Sequence, residues 1–164
     1  MSQHIYYNAV HLFHQGNYLK TDALWERHHD WQAAWAALQG STRIDPQKEE
    51  DRLLRHGVQL ILKTDDGFPP LLREIPRAPH GIYCKGACDF SRPTVAIVGT
   101  RRATGEGLKI ARRFAENLAA QGIIICSGLA LGIDGAAHAG ALASHATGAT
   151  IAVLPCGLDD LYPK

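Results

Sequence analysis

The 164-residue sequence has no long apolar run, few cysteines and almost no net charge. Its longest near-candidate for a span, Ile123 to Ile133, falls well short of the roughly 18–20 residues that cross a bilayer and carries Ser127. Met1-Ser2-Gln3-His4 is not a basic start leading into an apolar run, so no secretory signal is expected. Four cysteines are too few and too scattered for a disulfide scaffold. There is no internal repeat and no low-complexity tract. The 17 Lys+Arg against 16 Asp+Glu give no bulk attraction to nucleic acid, although an average can hide a local patch. With 46% hydrophobic and 20% charged residues the chain can bury a core. A soluble, cytoplasmic protein with no membrane partner is expected.

Composition shifts near Ser91. Residues 1–91 hold 10 basic and 11 acidic residues, seven of the nine His, all three Trp and only 6 Gly. Residues 92–164 hold 7 basic and 5 acidic residues and 10 of the 16 Gly. Three segments are expected: a helical domain over 1–57, a connector with short strands over 58–91, and an α/β domain from 92 to 164.

In the first segment Ile5, Ala9 and Leu12 follow a helical period that stops at Gly16. Asp22 is read as the N-cap of a second helix and Asp30 of a third carrying Ala34, Trp35 and Leu38. A fourth runs from about Pro46 to His56, with proline near N1 and Gly57 past the end. The aromatics of this bundle read as core. Val58–Leu62 and Ile82–Lys85 read as short strands that could extend a sheet, with Asp65-Asp66-Gly67 and Pro69-Pro70 turning between them.

From Thr94 the pattern becomes strand–helix–strand–helix–strand. Val95–Val98 is a continuous apolar run, as a strand buried on both faces requires. Gly107–Gln121 is an amphipathic helix, Ile123–Cys126 a second buried strand, Asp134 to about Leu142 an Ala-rich helix, and Thr150–Leu154 a third strand. Short links between them imply a parallel sheet, half of a doubly wound fold.

In such a sheet ligands bind beyond the carboxyl ends of the strands, where three turns of this sequence must lie. The first, Gly99 to Gly105, offers an open backbone at Gly99, the Thr100 hydroxyl, and the forks of Arg101 and Arg102, which match phosphate oxygens. The second, Ser127 to Asp134, offers Ser127, Gly128, Leu129, Ala130 and Gly132 as small groups or open backbone. The third, Pro155 to Asp159, offers Gly157. From Arg92 to Arg113 six basic residues face one acid, Glu106. Lys109, Arg112 and Arg113 are either part of that patch or a solvated helix face, and these residues alone do not decide between the two. Asp134 reads as a helix cap, because a free carboxylate would oppose an anion. His138 reads as a structural histidine, with no nucleophile beside it.

Other chemistries lack their residues. No Gly-Lys-Ser/Thr follows Gly99, which excludes a Walker A loop, and no G-x-G-x-x-G stands at this turn, which weakens a dinucleotide reading. His80, Cys84 and Cys88 do not complete a zinc site. No cofactor, metal or catalytic residue is expected.

Taken together, Val95-Ala-Ile-Val-Gly-Thr-Arg101, Ser127-Gly-Leu-Ala-Leu-Gly-Ile-Asp134 with Ala137-His138, and Ile151-Ala-Val-Leu with Gly157-Leu158-Asp159 and Tyr162-Pro163 resemble the DprA/Smf family. Phe68-Pro-Pro-Leu-Leu and Tyr83-Cys-Lys-Gly86 are similar to its approach to the core. The resemblance implies a Rossmann-like parallel sheet preceded by a small helical domain. It implies single-stranded DNA binding without catalysis, in DNA processing, recombination and natural transformation, protecting single strands and helping to load the RecA recombinase. It places Gly99-Thr100-Arg101, Ser127 to Ala130 and Gly132 to Asp134 around a phosphate pocket. It also implies a homodimer of the full-length protein. The family continues past the position of Lys164, so a truncated sheet of at least three strands is expected.

Two other readings stay open. One is an enzyme that releases a base from a nucleoside monophosphate, for which Asp134 and Asp159/Asp160 would be the nearby carboxylates. The other is a double-stranded DNA or protein contact made by the helical segment.

Overall fold

The structure is a computed structural model that describes residues 2–87 and 89–158. The chain divides into two compact units, Met1–Gly86 and Ala87–Lys164.

The first unit opens with α1 (Gln3–Phe13), α2 (Tyr18–His28) and α3 (Trp31–Ala36), followed by α4 (Pro46–Arg55). Side chains that accept first-turn amides start each of them: Ser2, Asn17, Asp30 and Asp45. Asp30 caps α3 as expected, with Ala33 N donating to its carboxylate at 2.7 Å. Asp22 does not cap α2. Asn17 starts that helix, accepting from Lys20 N at 3.1 Å. Asp22 lies inside it, past the first-turn amides that a cap serves.

β1 (Val58–Leu62) and β2 (Gly81–Lys85) pair antiparallel, with the short α5 (Pro70–Arg73) between them. They pair with each other rather than extending the other unit's sheet. Leu60 and Leu62 join Ile5, Tyr7, Val10, Trp31 and Trp35 in one core, so the segment from Val58 to Lys85 packs with the helices instead of merely linking two domains. Gly81 permits this contact, because a Cβ there would lie 2.6 Å from the Tyr7 ring.

The second unit contains β3 (Thr94–Ala96), α6 (Gly105–Ala120), β4 (Ile124–Ser127), α7 (Ile133–Ala143) and β5 (Thr150–Ala152). The strands form a parallel sheet in the order β3-β4-β5. Ile124 and Ile125 of the central strand are buried, each contributing about 2 kcal/mol of hydrophobic stabilisation. Ile125 packs under Ala115 and Ala119 of α6 and Ala137 and Ala141 of α7. These alanines let the two helices approach closely, and at Gly140 a Cβ would collide with the carbonyl oxygen of Arg112.

The first strand departs from expectation. β3 is exposed rather than buried on both faces, with Val95 37% exposed and Val98, just past its end, 69%, and among the described residues it pairs only with β4. Arg92 also leaves the expected basic patch. Its guanidinium donates to Gly122 O at 2.7 Å and Thr147 O at 3.0 Å, which pins together the residues before the strands, at the end of the sheet opposite the three turns. Among the described residues no helix is long and apolar enough to cross a membrane, and no cluster of His, Cys, Asp and Glu could hold a metal. Cys88, which entered the weighed zinc set, lies outside the described residues.

The close α6–α7 crossing makes Gly140 sensitive to any added atom. Gly140→Ala forces the helices apart and destabilises the second unit by about 1–3 kcal/mol, read as a lowered midpoint in chemical denaturation, whereas Gly57→Ala in the first unit leaves the second unit's transition in place.

Candidate functional site

The parallel sheet delivers two turns to one place. Gly99 to Arg102 leaves β3, and Gly128 to Gly132 leaves β4 and enters α7. The carboxylate of Asp134, only 6% exposed, joins them: Gly99 N donates to Oδ1 at 3.2 Å and Gly128 N to Oδ2 at 3.1 Å. Asp134 therefore does not cap its own helix, as its sequence position suggests. Gly132 occupies the N-cap position without a side-chain bond, and Asp134, in the first turn of α7, reaches across to both loops. A carboxylate in a first helical turn also lies favourably in the helix field.

The backbone completes the joint. Ile133 N donates to Thr100 O at 3.2 Å and Gly135 N to Ala130 O at 3.0 Å. At Gly132, with φ of +85°, a Cβ would collide with Thr100 O. Glycine is required there both for its conformation and for the close approach.

Beside this joint, between the starts of α6 and α7, lies a cavity of about 650 Å³. Arg101 and Arg102 contribute to it from the first turn, Lys109 and Arg112 from α6, and Leu129, Ala130, Leu131 and Gly132 from the second turn. Ala103, Leu108, Gly135, Ala136 and Ala139 complete the lining. Four cations therefore face a mostly apolar floor, with no acidic side chain on the wall among the described residues.

The structure thus gathers Arg101, Arg102, Leu129, Ala130 and Gly132 of the expected residues around one cavity. It gives others internal duties. Thr100 Oγ1 accepts from Arg102 N at 3.1 Å. The Ser127 hydroxyl is buried and donates to Ile97 O at 2.6 Å. The amides of Gly99 and Gly128 are held by Asp134. Gly157 is exposed and is not part of the lining. Asp159 and Asp160 lie outside the described residues. Lys109 and Arg112, left undecided by sequence, stand on the wall. Leu108, Gly135, Ala136 and Ala139 were not anticipated, although the spacings 108/109/112 on α6 and 135/136/139 on α7 each mark one helix face.

His138, one turn along α7 from Asp134, is 6% exposed. The Thr150 hydroxyl donates to Ile125 O at 2.7 Å, so the 2.7 Å bond between His138 Nδ1 and Thr150 Oγ1 takes its proton from Nδ1. Nε2 is then left as a buried lone pair without a partner. Burial lowers the His138 pKa from its ordinary 6.5, with the Asp134 charge acting in the opposite sense.

Asp134→Ala is expected to untie both turns and to cost about 3 kcal/mol of stability in the second unit, with the Gly99 and Gly128 amides losing most of their protection in hydrogen exchange. The His138 environment predicts a pH dependence. Because its folded pKa is lowered, the unfolded chain binds its proton first. The second unit therefore keeps full stability above about pH 6.5 and loses it as pH falls below that value. Exchange of the β4 amides measured against pH shows this acid limb, and His138→Asn reduces it.

Comparison with known proteins agrees with this architecture. The family model for DNA recombination-mediator protein A matches residues 59–164. The chain is 44% identical over 101 residues to the DNA processing protein DprA of Streptococcus pneumoniae, covering 61% of this chain and 35% of that protein. It is 42% identical over 110 residues to the protein Smf of a Synechocystis strain, covering 64% of this chain and 27% of that one. The chain therefore spans about a third of the length of these curated relatives. Among solved structures it is similar to DNA processing protein A from Streptococcus pneumoniae, with a TM-score of 0.64 and 32% identity over 82% of this chain and 44% of that chain. The motifs after β3 and β4, the parallel sheet that carries them and the matched span of residues 59–164 lead to one conclusion: the chain belongs to the DNA recombination-mediator protein A family.

Proposed function

We propose that the cavity between the starts of α6 and α7 binds single-stranded DNA through its phosphates. One observation carries this reading: Arg101, Arg102, Lys109 and Arg112 stand together on a cavity wall that bears no acid among the described residues. Guanidinium forks and an ammonium fit phosphate oxygens and need no particular base. Among the described residues no aromatic side chain lines the cavity, so base stacking adds little there and sequence preference is slight. A duplex has no splayed bases to offer the apolar floor, which favours the unpaired strand.

Family membership supports placing this activity in DNA processing. The role then includes protecting single strands in natural transformation and helping to load the RecA recombinase, in the cytoplasm, with the full-length protein acting as a homodimer. No described residue is assigned to the recombinase or dimer contacts. The base-releasing enzyme is less well supported, because both oxygens of Asp134, the carboxylate it would need, hold loop amides.

Fluorescence anisotropy with labelled single- and double-stranded oligonucleotides across a salt series tests the proposal. Arg101→Ala is expected to weaken single-strand binding about tenfold on every sequence tried and to flatten the log–log salt slope by about 0.7. Equal affinity in the folded variant would overturn the assignment of Arg101, and tighter duplex than single-strand binding would overturn the reading itself.

A further inference from the structure

We infer that the first unit carries a second ligand site, a cavity of about 420 Å³ between α2 and the segment after α5 that takes a single nucleotide, its base against Trp25 and Tyr18 and its phosphate against Arg77 and Lys63. The inference stands apart from the function proposed for the second unit.

The floor of this cavity is aromatic and fixed in place. Trp25 is half-buried and packs on the buried Trp31, with centroids 4.7 Å apart. Tyr18 lies nearly parallel to His80, at 6.0 Å and 12°. Asp22 holds both of these rings, accepting from His80 Nε2 at 2.9 Å and from the Tyr18 hydroxyl at 3.3 Å. With the rings held by a carboxylate and by one another, a planar guest meets a surface that needs little ordering.

Charge selects the guest. The lining holds Lys63, Arg73 and Arg77 against Asp22 and Glu26. Asp22 is engaged with His80 and Tyr18. Arg73 donates to Asp65 O at 2.7 Å and lies over the Phe68 ring. Arg77, Lys63 and Glu26 remain to meet a ligand. Burial and the Asp22 and Glu26 carboxylates raise the Tyr18 pKa, and the Arg77 charge works against them, so Arg77 stands close enough to act on the aromatic wall. A quaternary ammonium, the usual guest of an aromatic cage, would meet Arg77 and Lys63 on the same lining. An aromatic ring carrying an anion satisfies the stacking surface and the cations together, and a nucleotide is such a molecule. Glu26 is placed to accept from a base amino group. Arg77 takes a left-handed backbone, φ 60°, a conformation that a non-glycine residue holds at a cost and that recurs at ligand clamps.

The sequence supplies the probe. All three tryptophans, Trp25, Trp31 and Trp35, belong to the first unit, so indole fluorescence excited at the red edge of its band reports on this unit alone. The whole chain is titrated with the four deoxynucleoside 5′-monophosphates, with deoxynucleosides, with inorganic phosphate, and with a Glu- and Tyr-rich peptide. Saturable quenching by a monophosphate is expected, about tenfold weaker for the matching nucleoside and absent for phosphate. Arg77→Ala is expected to weaken it by a similar factor, Trp25→Phe to remove most of the signal change, and Arg101→Ala to leave it unaltered. That last variant separates this site from the one in the second unit. Absence of saturable quenching, quenching lost in Arg101→Ala but kept in Arg77→Ala, or a response to the peptide and not to nucleotides would overturn the inference.

Discussion

The second unit depends on one carboxylate in an unusual position. A three-stranded parallel sheet leaves loose turns at the carboxyl ends of its strands, because nothing in the ladder constrains the chain once the strands stop. Asp134 supplies the constraint. Its two oxygens take one amide from each of the first two turns, and the Ile133-to-Thr100 bond ties the same turns through the backbone. Gly132 lets the second turn close on the first without a Cβ between them. The interaction is buried and charge-assisted, which makes it strong in place and costly to leave half-made.

That arrangement decides how an anion can be held. In many α/β proteins the amides at a strand–helix turn face the ligand directly. Here the Gly99 and Gly128 amides face Asp134. Those two amides are therefore taken, and an anion at this end of the sheet has to stay clear of the buried carboxylate that takes them. The wall formed by Arg101, Arg102, Lys109 and Arg112 lies beside that carboxylate. The carboxylate organises the turns, and in the proposed site the attraction comes from these cations one step to the side. His138 sits beside Asp134 with its own proton fixed toward Thr150, a neutral neighbour that leaves the carboxylate free to serve the two amides.

Much of this was legible in the sequence, and the reasons are physical. Pro46 and Gly57 delimit a helix by proline's fixed φ and glycine's tolerance of positive φ, both local properties. Ile123 to Cys126 is a short continuous apolar run, and β4 is indeed the buried central strand. The misreadings are tertiary. Val95–Val98 has the composition of a buried strand, but burial depends on what lies on both sides, and among the described residues β3 pairs only with β4. Asp134 has the composition and position of a cap, but its partners are 35 and 6 residues away, a relation that no local rule encodes. Asp22 failed as a cap for a more modest reason, since Asn17 competes for the same task and stands at the true helix start. The cationic wall was half legible. Arg101 and Arg102 were marked by following a strand, while Lys109 and Arg112 needed the orientation of α6 before they could be separated from solvated charge.

The distribution of side-chain chemistry between the units follows from how each is packed. Helices over the second unit's sheet lie close because alanine and Gly140 bring their backbones together, and such a seam has no room for a tryptophan. In the site proposed there the ligand chemistry comes instead from long, flexible cations, which recognise a charge and are indifferent to what is attached to it. The first unit is packed the opposite way, with Tyr7, Trp31 and Trp35 filling the space between short helices and a two-stranded ribbon. Large rings leave irregular gaps at their margins, and the gap beside Trp25 is one of them. A wall of cations reads only the repeating charge of a polyanion, whereas a flat ring reads the base that each charge carries. The two proposed sites therefore differ in what they select, repeated charge in one unit and a planar base with its phosphate in the other.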